Sequence, residues 1–242
     1  MKAGLVGNGR WGKKIKEKLI ELGHSVQIVK RKQSLLKKLS ECNLVFIATP
    51  DNTHYKILNK IAILEKTTFC EKPLSRKLKD IKIFKYFKKN KLYISDISNF
   101  YPNVNLKEKN FFIRKKFEST KKVILAKRYD LLYRFAFHDF AYLYKKLGPI
   151  NFRKVEIIKS KKNLEFSLIK KKMIFNFFYD TGSKEKIYSL NGISFYNNKD
   201  ILKKMIRYFI NKKVDFKENN KKVIYVSKLI DKVRKEIQKS KS

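Results

Sequence analysis

The sequence predicts an α/β chain. An N-terminal Rossmann dinucleotide-binding domain is expected over residues 1–97. An α+β domain, with a mostly antiparallel sheet and C-terminal helices, is expected over 98–242. Three observations predict this. The chain opens as strand, G-x-G-x-x-G, helix (AGLVGNGRWGKKIKEKLIELG). Apolar runs then alternate with helical periodicity as far as about residue 97. Beyond that come segments of alternating or apolar character, separated by turn signals such as Asn191-Gly192. The 242 residues suffice for two modest domains.

The first strand is AGLVG. In the loop that follows, Gly7 permits a tight turn, Gly9 lets backbone approach a pyrophosphate, and Gly12 lets helix and strand pack closely. Asn8, Arg10 and Trp11 complete this cradle. The helix sets Ile15, Leu19 and Leu22 on one face and stops at Gly23. Its N-terminus offers free N–H groups and partial positive charge to phosphates. SVQIVKRK is the second strand. About twenty residues past the glycine motif an acid would hold the ribose 2′-hydroxyl of NAD. Lys30 and Arg31 stand there instead, which favours NADP, with NAD as the alternative. Residues 44–48 form a continuous apolar run, as in a strand buried on both faces of a parallel sheet. It ends in Thr49-Pro50-Asp51-Asn52-Thr53-His54, a polar loop where open α/β sheets bind ligands. A helix to about Leu64, a short strand at Thr67–Cys70 and the corner Glu71-Lys72-Pro73 follow. A helix containing Ile81, Phe84 and Phe87 then leads to the strand KLYISDI.

Composition bounds the function. Hydrophobic residues make up 43%, enough for a buried core. No apolar run approaches the roughly 18–20 residues that cross a bilayer, and the first residues do not form a signal peptide. Cys42 and Cys70 read as reduced thiols of a cytoplasmic protein, with no disulfide framework and no metal site. The formal charge is +39. Its lysines are spread along the chain, and the residues in excess have A/T-rich codons, so codon bias is the leading explanation and attraction of an anionic substrate the alternative. No basic face interleaved with exposed aromatics marks a specific nucleic-acid site.

GLVGNGRWG, FIATPDNTHY and CEKPLS, in this order and spacing, resemble the Gfo/Idh/MocA oxidoreductases. The resemblance implies that Gly7, Gly9 and Gly12 bind a pyrophosphate. It implies that Thr49, Pro50, Asn52 and His54 lie along the cofactor with Glu71. Lys72 would face both nicotinamide and substrate.

In the second half, KKVILAKR, FRKVEIIKS, NLEFSLIK, KMIFNFFYD, KEKIYSL and ISFYN read as strands of an antiparallel sheet. KKN, DTGS and Asn191-Gly192 read as turns. Helices are expected at about 135–147, stopped by Gly148-Pro149, and at about 199–212 and 220–239. Alone, a histidine among aromatics is most often a satisfied core residue. RFAFHDF, however, is similar to the family's D-L-x-x-H-D segment, which makes His138 the implied general base and Asp139 its neighbour at the substrate. Arg134 stands where that family has an aspartate. It would bind an anionic substrate group, or it would mark a cofactor-binding protein without catalysis. ISNFYPNV is similar to members acting on nucleotide-linked amino sugars. The implied reaction passes a substrate proton to His138 while Lys72 stabilises the developing alkoxide. The implied substrate is a sugar or nucleotide sugar. The implied assembly is a homodimer or homotetramer formed through the outer face of the second sheet.

Overall fold

The computed structural model describes residues 1–30, 33–87, 91–101, 103–104, 110–118, 131–159, 163–183, 187–194 and 200–239. The chain divides into two compact units. One is Met1–Ile97 with Asp200–Ile224; the other is Ser98–Lys199 with Tyr225–Ser242. No helix among the described residues is long and apolar enough to cross a membrane.

The first unit is built on five parallel strands: β1 (Lys2–Val6), β2 (Ser25–Val29), β3 (Leu44–Ile47), β4 (Thr67–Cys70) and β5 (Leu92–Ile94), in the order β2-β1-β3-β4-β5. The strands β1, β3, β4 and β5 are almost wholly buried, as continuous apolar runs demand when both faces of a sheet are covered. Helix α1 (Arg10–Glu21) buries Gly12, Ile15 and Leu19; α2 (Leu35–Ser40) and α3 (Asp51–Ile61) follow. A methyl at Gly4 of β1 would collide with the end of the Leu39 side chain of α2, which would have to move. The segment expected as a helix around Ile81 and Phe84 is a 3₁₀ stretch, Leu78–Lys85.

Helix α5 (Ile201–Ile210) returns to this same unit, so the range 98–242 does not stay together. The cause is aromatic. Phe209 presents its ring edge-on to Phe46 and Phe69, each at 5.5 Å, and stacks on Tyr93 at 5.8 Å. Such pairs contribute about 0.5–1.5 kcal/mol each beyond the area they bury. The open edge of β5 is closed by Asn219, in the long helix α6 (Phe216–Lys239). Its amide donates to the Ile94 carbonyl at 3.1 Å and accepts from the Ile94 N–H at 3.0 Å. One turn on, Lys222 pairs with the buried Asp96 at 2.6 Å.

The second unit carries six strands: β6 (Asn110–Glu118), β7 (Lys154–Lys159), β8 (Asn163–Lys170), β9 (Met173–Ser183), β10 (Ile187–Leu190) and β11 (Ile193–Ser194), in the order β11-β10-β6-β9-β8-β7. The sheet is mixed and mostly antiparallel, as expected, with one parallel pair, β6 with β9. DTGS is not a turn but the end of β9, because its partner β6 runs on past a bulge to pair Glu118 with Ser183. The strand expected at KKVILAKR lies outside the described residues. Asn191-Gly192 does form the hairpin turn, with φ of 45° and 80°. One face of the sheet is packed by Phe111 on Phe175 and Phe166 on Phe177, both stacked at 4.7 Å, with Phe140 of helix α4 (Phe137–Leu147) edge-on to Phe177 at 5.3 Å. Gly148, with φ 69°, ends α4 as expected.

Asn219→Ala leaves the N–H and C=O of Ile94 buried without partners, at about 1–3 kcal/mol for each group. The expected result is a lower urea midpoint at unchanged slope. An unchanged midpoint would remove Asn219 from its role at the sheet edge.

Candidate active site

The glycine loop has the geometry its spacing implied. Gly7 adopts φ 104°, and a Cβ there would lie 2.6 Å from the Ala48 carbonyl oxygen. A Cβ at Gly12 would run into the Gly7 carbonyl. A Cβ at Gly9 would meet no atom within 4 Å. Gly7 and Gly12 thus close strand onto helix, while Gly9 keeps backbone accessible from outside. Gly9 is also the N-cap of α1, with no side-chain cap and no acid in the first turn. The first N–H groups therefore point at whatever anion occupies the loop. Asn8, Arg10 and Trp11 are exposed around it. These residues fit the pyrophosphate of a dinucleotide. Lys30 is exposed just past β2; Arg31 lies outside the described residues.

The second motif follows β3. Thr49 is half-buried, Pro50 caps α3, and Asn52 is exposed. His54, expected along the cofactor, is 1% exposed, and both ring nitrogens face backbone carbonyls: Nδ1 is 2.8 Å from Pro73 O and Nε2 is 2.9 Å from Thr49 O. The ring bridges the Thr49 loop and the Lys72-Pro73 corner. Asp51 adds a second tie to the same segment, accepting from Arg76 Nε at 2.7 Å.

The third motif follows β4. The Glu71 N–H donates to Ile47 O at 2.9 Å, and the Lys72 N–H donates to Ser95 Oγ at 3.1 Å. Ser95 in turn donates to Glu71 Oε2 at 3.1 Å. Burial holds the Glu71 carboxyl above its ordinary value, against the opposing pull of Lys72 and Ser95. The lysine's backbone is therefore fixed on both sides. Ser95 escaped notice in the sequence, although it stands at the carboxyl end of the KLYISDI strand, where such residues gather.

In the second unit, the helix expected from Phe135 begins earlier, as a π-helical stretch Leu132–Ala136 that runs into α4. His138 lies in the first turn of α4 and is 9% exposed, with Phe137 edge-on at 5.5 Å. Arg134 lies in the π stretch, and its side chain is outside the described residues. Asp139, expected beside the substrate, is enclosed by protein groups. It is 1% exposed, and its oxygens are taken by Tyr179 at 2.7 Å, Tyr188 at 2.5 Å and Lys115 at 2.8 Å. Lys115 was hidden in the sequence by its cationic neighbours in β6.

The His54 contacts generate a test. A neutral imidazole carries one N–H and donates to only one of the two carbonyls. Burial lowers the affinity of His54 for a second proton, against the pull of the Pro73 and Thr49 carbonyls. A depressed folded value means that stability is fully present above about 6.5, the unfolded value, and falls as pH drops toward the folded one. Unfolding free energy followed from about pH 7 to 5 should decline more steeply in the parent than in His54→Gln. Parallel curves would show that His54 carries no such linkage.

Comparison with known proteins adds to this geometry. No curated protein sequence matches the chain. Solved structures do. The UDP-N-acetylglucosamine 3-dehydrogenase GnnA from Acidithiobacillus ferrooxidans is 13% identical at a TM-score of 0.79, covering 96% of this chain and 97% of its own. The WlbA (WbpB) dehydrogenase from Thermus thermophilus, solved with NAD and UDP-GlcNAcA, is 13% identical at 0.75, covering 95% and 94%. The dehydrogenase MviM from Clostridium difficile is 14% identical at 0.73, covering 98% and 99%. At these identities the likeness is one of fold. Residues 20–95 match the model of the oxidoreductase family with an NAD-binding Rossmann fold.

Proposed function

We propose that this protein is a nicotinamide-dependent oxidoreductase acting on a hydroxyl of a sugar or nucleotide sugar. One observation carries the proposal. β1, β3 and β4 are parallel neighbours, and each ends in one of the three motifs: Gly7 after β1, Thr49-Pro50 after β3, Glu71-Lys72 after β4. Parallel strands end on one edge, so a phosphate cradle and a held lysine share the carboxyl edge of one sheet, where open α/β sheets bind ligands.

The nicotinamide supplies hydride transfer when bound. The chain's own residues do the rest. The α1 N-terminus and the Gly9 backbone hold the pyrophosphate. Lys72, its backbone pinned by Ser95, stabilises negative charge growing on the substrate oxygen. His138 takes the hydroxyl proton as general base. Arg134 contacts an anionic substrate group such as a diphosphate or carboxylate. A nucleotide-linked amino sugar is the favoured class, supported by ISNFYPNV and by the substrates named for GnnA and WlbA. Two buried thiols and the absence of a spanning helix among the described residues accord with a cytoplasmic setting. Phe112 and Ile158, exposed on the outer face of the second sheet, accord with pairing into a homodimer or homotetramer.

UDP-GlcNAc and UDP-GlcNAcA, each with NAD and NADP, are the substrates to try. Lys72→Ala and His138→Ala should each lower turnover by about 10²–10⁴-fold. A double variant that falls far less than the product of the two is the expected result for two groups serving one step. Full kcat in Lys72→Ala would reduce the corner to a structural turn. If Arg134 marks a protein without catalysis, the parent binds cofactor and turns over no sugar.

Trp11, the single tryptophan, lies in the first turn of α1 beside the glycine loop, so its fluorescence is the signal with which to titrate both cofactors. Lys30 supports tighter binding of NADP(H) than of NAD(H), and Lys30→Asp should reverse the order. Equal affinities in the parent would assign the cation to composition alone.

A further inference from the structure

Lys115 enters the second unit from the central strand β6 and is 4% exposed. Its ammonium makes two contacts on one helix. It donates to the Phe135 carbonyl at 2.9 Å and pairs with Asp139 Oδ1 at 2.8 Å. Those residues flank His138, three before it and one after. Phe135 lies in the π-helical stretch, so the ammonium bridges from the end of that stretch to the first turn of α4.

The second contact is held from two other strands. Tyr179 of β9 donates to Asp139 Oδ2 and Tyr188 of β10 to Oδ1. Lys115 lies over the Tyr188 ring at 4.2 Å. Burial, with the nearby Asp139 charge, holds both phenols well above their ordinary range, so they remain neutral donors. Burial lowers the Lys115 value, and Asp139 opposes this. A buried pair of this kind adds little net stability compared with apolar side chains of the same volume. What it does specify is position. Three neighbouring strands, in the order β10-β6-β9, each place a polar group on one turn of α4 and so fix both its rotation and its height against the sheet.

We infer that Lys115 is a positioning residue for His138, clasping the helix on both sides of it through Phe135 O and Asp139. The inference rests on the proposed function only for its effect on turnover. Its structural half stands without a substrate.

The test uses the whole chain. Lys115→Met with Asp139→Asn removes the clasp and leaves no buried charge unpaired, while both tyrosines keep an amide partner. With only three histidines in the chain, the His138 ring resonances are assigned by His24→Gln and His54→Gln. In the parent, His138 should give one sharp signal with a single titration midpoint. In the folded double variant the signal should broaden or split and the midpoint should move. Where turnover is measurable, kcat should fall on the order of 10²-fold, as misplacement by about 1 Å does, with cofactor affinity unchanged. Tyr188→Phe, which removes one hydroxyl and little volume, should move the His138 signal in the same direction by less. An unchanged His138 signal and midpoint in the folded double variant overturns the inference; if that variant does not fold, the same result in Tyr188→Phe does so. Failure of the functional proposal looks different: no parent turnover, with the His138 signal still displaced by loss of the clasp.

Discussion

Parallel pairing of β1 with β3 and of β3 with β4 is the constraint on which the first unit depends. In parallel ladders every strand leaves the sheet at the same edge, and each return crosses over a face through a helix. Three loops far apart in sequence are thereby delivered side by side. The constraint is strict about packing. Gly4 leaves room for the Leu39 side chain of α2, and Gly12 must lie against the Gly7 carbonyl for α1 to start where its N–H groups face outward. A side chain at Gly12 would shift α1, and with it the edge on which the loops meet.

The excess of positive charge sits on that framework without defining it. Among the described residues, two buried lysines stand out, Lys115 and Lys222, and each is paired with a buried aspartate, Asp139 and Asp96. Exposed cations are cheap, because water solvates them and salt screens them. Buried ones need a partner and a fixed geometry. With only 21 acids against 60 bases, the acids that reach the interior mark places where position matters more than composition. A lysine-rich sequence conceals this, since Lys115 reads like its neighbours Arg114 and Lys116 until its partner is known.

That concealment explains what was legible in the sequence. The glycine loop, β1, β3, β4 and the Asn-Gly hairpin were readable because each follows from local chemistry: positive φ, close approach, continuous apolar runs. The parallel pairing of β6 with β9 was not, because it joins segments more than sixty residues apart and leaves no local trace. The destination of α5 was equally hidden, since an amphipathic helix does not say which sheet it covers. The bracing contacts of His54 and Asp139 were equally hidden. Their motifs give spacing, whereas burial and hydrogen-bond partners decide whether a side chain faces outward or braces its own backbone.

The bracing of Lys72 shows how far such support extends. Three consecutive residues at the end of β5 are each held by a different contact. Ile94 is held by Asn219, Ser95 by the Lys72 N–H and Glu71, and Asp96 by Lys222. Asn219 and Lys222 are three apart on one helix, so they fall on one face and grip the strand end together. On the other side, the Lys72-Pro73 corner is met by His54 from α3. The lysine thus stands between an outer brace from the returning C-terminal segment and an inner brace from the second motif. A lysine side chain has four rotatable bonds and a freely turning ammonium, so its aim is only as good as its backbone. Fixing that backbone from both sides is how a chain confines the ammonium to one region and makes a flexible residue serve as a positioned charge.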